Sequence, residues 1–235
     1  MKLLSFDVGV KNLAFCLLEY KDNKFIISKW DTIDLLEDPL ENLICIGKKK
    51  NNENCNKKAS LYHKISNENI GYCKIHGRNI NDLKNIIKKK VPNLTHQAMD
   101  IKLVNKLDKH KELLDCDIII IEQQPTKNPR MKSLSMMLHN YFVIRGIVDN
   151  IGKLKNVIFV SPRNKLKVYN GPYIECKLKG KYARTKWLGV EYSKWLLRED
   201  NNWLNFLIEH KKKDDLADSF LQGLYYLKFK KCLKE

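Results

Sequence analysis

The chain has 235 residues, 43% of them hydrophobic, and its 44 Lys and Arg outnumber its 27 Asp and Glu to give a net charge of +17. That length suits one well-buried domain with a small insert, and no apolar run approaches the roughly 18 residues of a membrane span. A surface this basic attracts polyanions, above all nucleic acid, although the abundance of Lys, Asn and Ile expected of an AT-rich genome accounts for some of the lysine. Met1-Lys2-Leu3-Leu4 runs straight into strand-like sequence without signal-peptide anatomy. The chain is therefore expected inside a cell, with its seven cysteines as free thiols or metal ligands rather than disulfides.

Lys2 to Asp7 reads as a buried strand that closes on an acid. Val8-Gly9-Val10-Lys11-Asn12 follows as a turn in which Gly9 permits a tight backbone path. Leu13 to Tyr20 and Phe25 to Trp30 read as two more strands, separated by the polar turn Lys21-Asp22-Asn23-Lys24. Such short turns make the three an antiparallel meander. The pattern breaks from Leu35 to Lys90, where Lys48 to Asn56 is polar and low in complexity. The same section holds Cys45, Cys55, Cys73 and His76, the last two spaced as Cys-x-x-His. That spacing lets two ligands grip one Zn²⁺ from a single turn, and four ligands close a tetrahedral structural site. His63 competes for a place in the set. A polar segment of this kind builds little core of its own, and a metal staple remedies that.

Val91-Pro92-Asn93 is expected to open a helix running to about Leu114, with Met99, Leu103 and Leu107 on its apolar face. Asp117 to Gln123 is the most strand-like run, and its four consecutive isoleucines call for burial on both faces of a central strand. It ends in Glu122, an acid that is costly beside a core without a cation or partner. A basic loop, Thr126 to Arg130, leads into a helix from Met131 to about Asn150. Its stripe of Met136, Met137, Tyr141, Phe142 and Ile144 reads as core or as a dimer face. Val157 to Val160 is a further strand, and the cationic run Ser161 to Lys167 falls where α/β proteins usually build sites. Tyr169 to Thr185 reads as a polar, basic loop, with helices over Thr185 to Leu197 and Asn202 to His210. Trp187, Trp195 and Trp203 read as packing residues.

The last helix begins near Lys213. Asp215 and Asp218, three residues apart, share one helix face. Carboxylates so placed repel each other unless a cation lies between them. The helix macrodipole alone favours Asp214 and Asp215 in a first turn but explains Asp218 less well. Two strands ending in acids and a helix carrying two more predict that Asp7, Glu122, Asp215 and Asp218 meet as oxygen ligands for Mg²⁺ or Mn²⁺.

Three stretches together resemble the acidic motifs of RuvC-type Holliday junction resolvases: Ser5-Phe6-Asp7-Val8-Gly9-Val10-Lys11-Asn12, Ile121-Glu122-Gln123-Gln124-Pro125 and Asp214-Asp215-Leu216-Ala217-Asp218-Ser219. The pattern is nearest to the resolvases of poxviruses and other large cytoplasmic DNA viruses. The resemblance implies an α/β, RNase H-like fold: a five-stranded mixed sheet flanked by helices, formed by residues 1–34 and 91–235. Residues 35–90 would be a small insert, absent from the compact poxvirus enzymes, that Zn²⁺ on Cys45, Cys55, Cys73 and His76 stabilises. It also implies a homodimer that cuts branched DNA symmetrically, in viral recombination and concatemer processing in the host cytoplasm. Asp7, Glu122, Asp215 and Asp218 would hold Mg²⁺ or Mn²⁺. The family also uses a catalytic lysine, for which Lys165 and Lys167 both fit loosely and Lys165 is preferred. Two other readings stay open: the same fold acting on RNA or RNA–DNA hybrids, and a non-catalytic DNA-binding scaffold.

Overall fold

The computed structural model describes residues 1–22, 24–36, 43–65, 68–79, 86–88, 94–149 and 152–229. In chain order the elements are β1 (Lys2–Asp7), β2 (Leu13–Lys21), β3 (Lys24–Ile33), β4 (Leu61–Ile65), β5 (Glu68–Tyr72) and β6 (Ile86–Lys88). They continue with α1 (His96–Leu107), β7 (Ile118–Glu122), α2 (Pro129–Phe142), β8 (Asn156–Val160), α3 (Lys181–Leu196), α4 (Asn201–Glu209) and α5 (Lys213–Phe229). The chain divides into two compact units, Met1–Leu35 with Leu94–Glu235, and Leu36–Asn93.

The larger unit is built on a five-stranded sheet in the order β3-β2-β1-β7-β8. β1, β2 and β3 pair antiparallel, as their short turns require, whereas β1, β7 and β8 run parallel. β1 is thus central, and the isoleucine strand β7 lies between it and β8. Side chains alternate across the sheet. Leu4, Phe6, Ile119 and Ile121 enter one core with Met99, Leu103 and Leu107 of α1 and Leu134, Leu138 and Phe142 of α2. Leu3 and Ile120 face the other way, into a second core with Trp30 and with Leu216, Phe220 and Leu221 of α5. Helices cover both faces, which is why Leu13–Leu18 of β2 and Ile118–Ile121 of β7 are continuous apolar runs, whereas the edge strand β3 alternates with polar residues.

Two polar ties fix α5 on the sheet. The Trp30 indole donates to the Leu216 carbonyl at 3.0 Å. The Gln222 amide donates to Ser5 Oγ and to the Phe6 carbonyl, both at 3.2 Å. The second tie sits one residue before Asp7. Gly9 does the work expected of it, because a Cβ there would lie 2.3 Å from the Asn12 carbonyl oxygen.

Helix boundaries depart from the sequence expectation for local reasons. The described part of the first helix starts at His96, where the Thr95 side chain accepts from the Ala98 N–H; Val91-Pro92-Asn93 lies outside the described residues. That helix stops at Leu107, and a separate 3₁₀ turn at Lys111–Leu114 delivers Leu113 and Leu114 to the core. The next helix begins at Pro129, capped by Asn128, and widens into a π-helix over Val143–Val148. Its expected stripe splits: Tyr141 and Phe142 are core, whereas Met136 and Ile144 are exposed.

The smaller unit contains an antiparallel sheet in the order β5-β4-β6. Bridges between Ile44 and Lys58 and between Lys48 and Asn54 close a short hairpin ahead of it. Its described buried cluster consists of Cys45, Cys55 and Cys73. Among the described residues of the chain, no helix is long and apolar enough to cross a membrane.

Phe220 is fully buried and its ring meets Phe25 and Trp30. Phe220→Ala is expected to lower the unfolding free energy by about 3–5 kcal/mol, measured by urea denaturation.

Candidate active site and metal-ligand cluster

β1 and β7 are adjacent parallel strands in register at Phe6 and Ile121. Their next residues, Asp7 and Glu122, therefore emerge side by side at the carboxyl end of the sheet, where open α/β folds place their sites. The α5 helix brings Asp214, Asp215 and Asp218 in its first turns. The strand β8 leads into a 3₁₀ helix, Pro162–Val168, that carries Lys165 inward.

Lys165 bridges two of these elements. Its Nζ is 3.3 Å from Glu122 Oε1 and 2.9 Å from Asp218 Oδ1, and the lysine is only 8% exposed. A second ammonium, that of Lys186 on α3, lies 2.8 Å from Asp218, 3.4 Å from Asp215 and 3.5 Å from Asp214. Lys212 flanks the rim, 3.7 Å from Asp214 and 3.6 Å from Asp215. The four acids singled out from the sequence thus gather in one place with Lys165. Lys167, the alternative lysine, makes no ion pair with them among the described residues.

The electrostatics follow from this crowding. Burial pushes the Asp7 carboxyl well above the ordinary range, and the charges of Glu122 and Asp218 add to the effect. Burial also penalises the Glu122 charge, but its hydrogen bond with Asp7 and the Lys165 ammonium outweigh that and hold it below the ordinary range. The two carboxyls are thus pushed in opposite directions, Asp7 up and Glu122 down. Asp215 is raised by burial and by its neighbour Asp214. Burial disfavours both lysine charges, yet the surrounding carboxylates prevail and raise both.

In the smaller unit, Cys45, Cys55, Cys73 and His76 offer ligand atoms all within 4.8 Å of one another. His76 Nδ1 is 3.2 Å from Cys45 Sγ and 3.6 Å from Cys73 Sγ, and the Cys55 and Cys73 sulfurs are 4.0 Å apart. Two sulfurs on one Zn²⁺ are expected about 3.8 Å apart, given Zn–S bonds of about 2.3 Å. Backbone N–H groups of His76 and Ile75 hold the Cys73 thiol below its usual range despite burial. His63 lies on β4 and is not part of this cluster.

Residues 3–142 match the family model described as mitochondrial resolvase Ydc2 / RNA splicing MRS1. The chain belongs to this family. The uncharacterized protein L451 of Acanthamoeba polyphaga mimivirus is 33% identical over an alignment covering 97% of this chain and 75% of its own length. The yeast mitochondrial Holliday junction resolvase Ydc2 has a TM-score of 0.53 at 18% identity, covering 99% of this chain and 81% of its own. The fowlpox virus resolvase, solved with its substrate Holliday junction DNA, has a TM-score of 0.50 at 18% identity, with full coverage of both chains. Both likenesses are of fold, and that fold is the one the acidic motifs implied.

The family match ends before β8, so Lys165, Lys186 and the α5 acids of this Ydc2-family chain lie beyond it. Sequence reasoning missed Lys186. The signal available was its position at helical spacing from the loop before α3, among many other lysines.

Removing Lys165 leaves Glu122 and Asp218 buried without their bridging cation. Lys165→Met is expected to cost about 3–5 kcal/mol of stability in metal-free buffer, read by urea unfolding. Lys186→Met is expected to cost less, because the Lys186 side chain is 22% exposed against 9% for Lys165.

Proposed function

We propose that this chain is a structure-selective endonuclease that resolves four-way DNA junctions by divalent-metal-dependent cleavage, acting on viral DNA in the host cytoplasm. One observation carries the reading: Asp7, Glu122, Asp215 and Asp218, from three separate elements, converge at the carboxyl ends of β1 and β7. The donor set fits Mg²⁺ or Mn²⁺, being carboxylate oxygen throughout with neither thiol nor imidazole. Two ammonium groups at 2.8–3.4 Å from three of those carboxylates, Glu122, Asp215 and Asp218, mark a place where positive charge is needed. Asp7, Glu122, Asp215 and Asp218 would hold such ions, which would supply an activated water and neutralise the leaving oxygen.

The chain's own groups do the rest. Asp7 stands on the central strand against Glu122 and would be a ligand of such an ion. Lys165, fixed in its 3₁₀ turn, neutralises charge growing on the phosphate as the water attacks. Exposed lysines elsewhere hold the DNA arms through phosphates, selecting shape rather than sequence. Ile101 and Met137 line one groove between α1 and α2, and Met136, Ile144, Ile147 and Val148 are exposed along α2 and its π-helical extension. A second copy of the chain packed on this face would form a homodimer with two symmetric sites. In the smaller unit, Zn²⁺ on Cys45, Cys55, Cys73 and His76 takes the place of an apolar core.

The family description also names RNA splicing, which keeps an RNA-directed reading in view. A labelled synthetic junction and an RNA–DNA hybrid, each incubated with and without Mg²⁺, separate the readings. Paired symmetric nicks in the junction alone support the proposal, and junction binding without product points to a scaffold. Asp7→Asn is expected to slow junction cutting by more than about 100-fold while binding is retained. Mass spectrometry of the intact protein is expected to show one Zn²⁺ per chain, lost in Cys73→Ala.

A further inference from the structure

Both oxygens of Asp215 and both of Asp218 already face lysine ammoniums. Asp218 Oδ1 is 2.9 Å from Lys165 Nζ, and Oδ2 is 2.8 Å from Lys186 Nζ. Asp215 Oδ1 is 3.4 Å from Lys186 Nζ, and Oδ2 is 3.6 Å from Lys212 Nζ. An Mg²⁺ ion bonded to Asp218 Oδ2 at about 2.1 Å would lie no more than about 5 Å from an ammonium 2.8 Å from the same oxygen. At that separation a divalent and a monovalent cation repel strongly in a partly buried site. One ammonium therefore has to withdraw before the α5 acids can hold an ion.

The three lysines are not equally free to do so. Lys165 is anchored twice, to Asp218 and to Glu122 at 3.3 Å, and its side chain is 9% exposed. Its withdrawal would strip Glu122 of its cation as well. Lys212 pairs with Asp214 and Asp215 from the rim, its side chain 46% exposed, and makes no ion pair with Asp218. Among the described residues, Lys186 alone pairs with Asp215 and Asp218 together, and its side chain is 22% exposed. Its helix is packed in place. Gly189, three residues further along α3, lies against Asp218, where a Cβ would stand 3.7 Å from Oδ1. Any movement falls to the flexible four-carbon stem of Lys186, which can turn without disturbing α3.

We propose that Lys186 is a built-in competitor for the divalent ion: its ammonium takes the place between Asp215 and Asp218 and gives it up when the ion binds. The proposal rests on the nuclease reading and adds what sets the ion concentration at which that site loads. Asp215 and Asp218 share one face of α5, where their like charges call for a cation. The lysine and the ion answer the same repulsion in turn. The first keeps the acids together, and the second must displace it, so the site loads only at a higher ion concentration than the acids alone would need.

Mn²⁺ binding to the full chain without DNA, read from the electron paramagnetic resonance signal of free Mn²⁺, tests this. Lys186→Met and Lys186→Gln are each expected to bind Mn²⁺ roughly tenfold more tightly than wild type. Lys212→Met, which removes the same charge from the rim, is expected to change the affinity by less than about twofold. Equal affinity in wild type and both Lys186 variants overturns the competition and leaves the nuclease reading standing. Equal tightening in Lys212→Met also overturns it, because a general charge effect then accounts for the result. The wild type gives a second reading that needs no variant. Acylation of lysine amines, mapped by mass spectrometry, is expected to quicken severalfold at Lys186 and not at Lys165 once Mg²⁺ saturates the site. Labelling of Lys186 that Mg²⁺ leaves unchanged overturns the competition. Wild type and Lys186 variants that all fail to bind Mn²⁺ overturn both the competition and the nuclease reading.

Discussion

Carboxylates crowded where little water reaches cannot all stay charged without cations, and the larger unit is arranged around that constraint. At an effective dielectric near 20, two like charges about 4 Å apart repel by about 4 kcal/mol. The chain meets this in two ways: the Asp7 carboxyl beside Glu122 is pushed well above its ordinary range, and two lysine ammoniums are drawn in among the acids. Such an arrangement persists only if the backbone elements carrying it cannot drift apart. Trp30 and Gln222 supply that restraint, tying α5 to the sheet close to the acids rather than at its far end.

The apolar layers on the two faces of the sheet provide the stability that tolerates such a site. They lie along the strands, while the acids stand at the strand ends, so charge and core are separated along the same elements. The smaller unit meets a different constraint. Its described buried residues are few and include three cysteines. Thiol and imidazole groups converge there in place of an apolar interior.

Much of this was legible in the chain. An acid at the end of an apolar strand is readable because strand ends and burial are both written in local sequence; Asp7 and Glu122 followed from that. Asp215 and Asp218 followed from helical spacing. Lys186 did not, since its partners are about thirty residues away on another helix and nothing in its neighbourhood separates it from other lysines. The helix limits were missed for physical reasons of the same kind. The chain has to leave α1 at Leu107 to drop Leu113 and Leu114 into the core, and Tyr141 of α2 then donates to Asp108 at the break at 2.9 Å. The widening after Phe142 lets Gly146 approach Leu154, where a Cβ would stand 2.4 Å from a methyl group. A period of 3.6 residues carries no sign of either event.

The two ammoniums are not equivalent, and the difference follows from what each one joins. Lys186 makes its ion pairs with acids of one helix only, Asp214, Asp215 and Asp218, so its contacts tie α5 to α3, while the Asp7 charge acts on it without an ion pair. Lys165 joins Glu122 at the end of β7 to Asp218 on α5 and is nearly enclosed. It is a cross-link between sheet and helix as well as a charge. Loss of the first loosens a charge balance at a partly open rim. Loss of the second leaves two carboxylates from different elements facing each other, and the repulsion then acts on the distance between the sheet and the helix. The geometry of the acids at the strand ends therefore depends more on Lys165 than on any other single cation at the site.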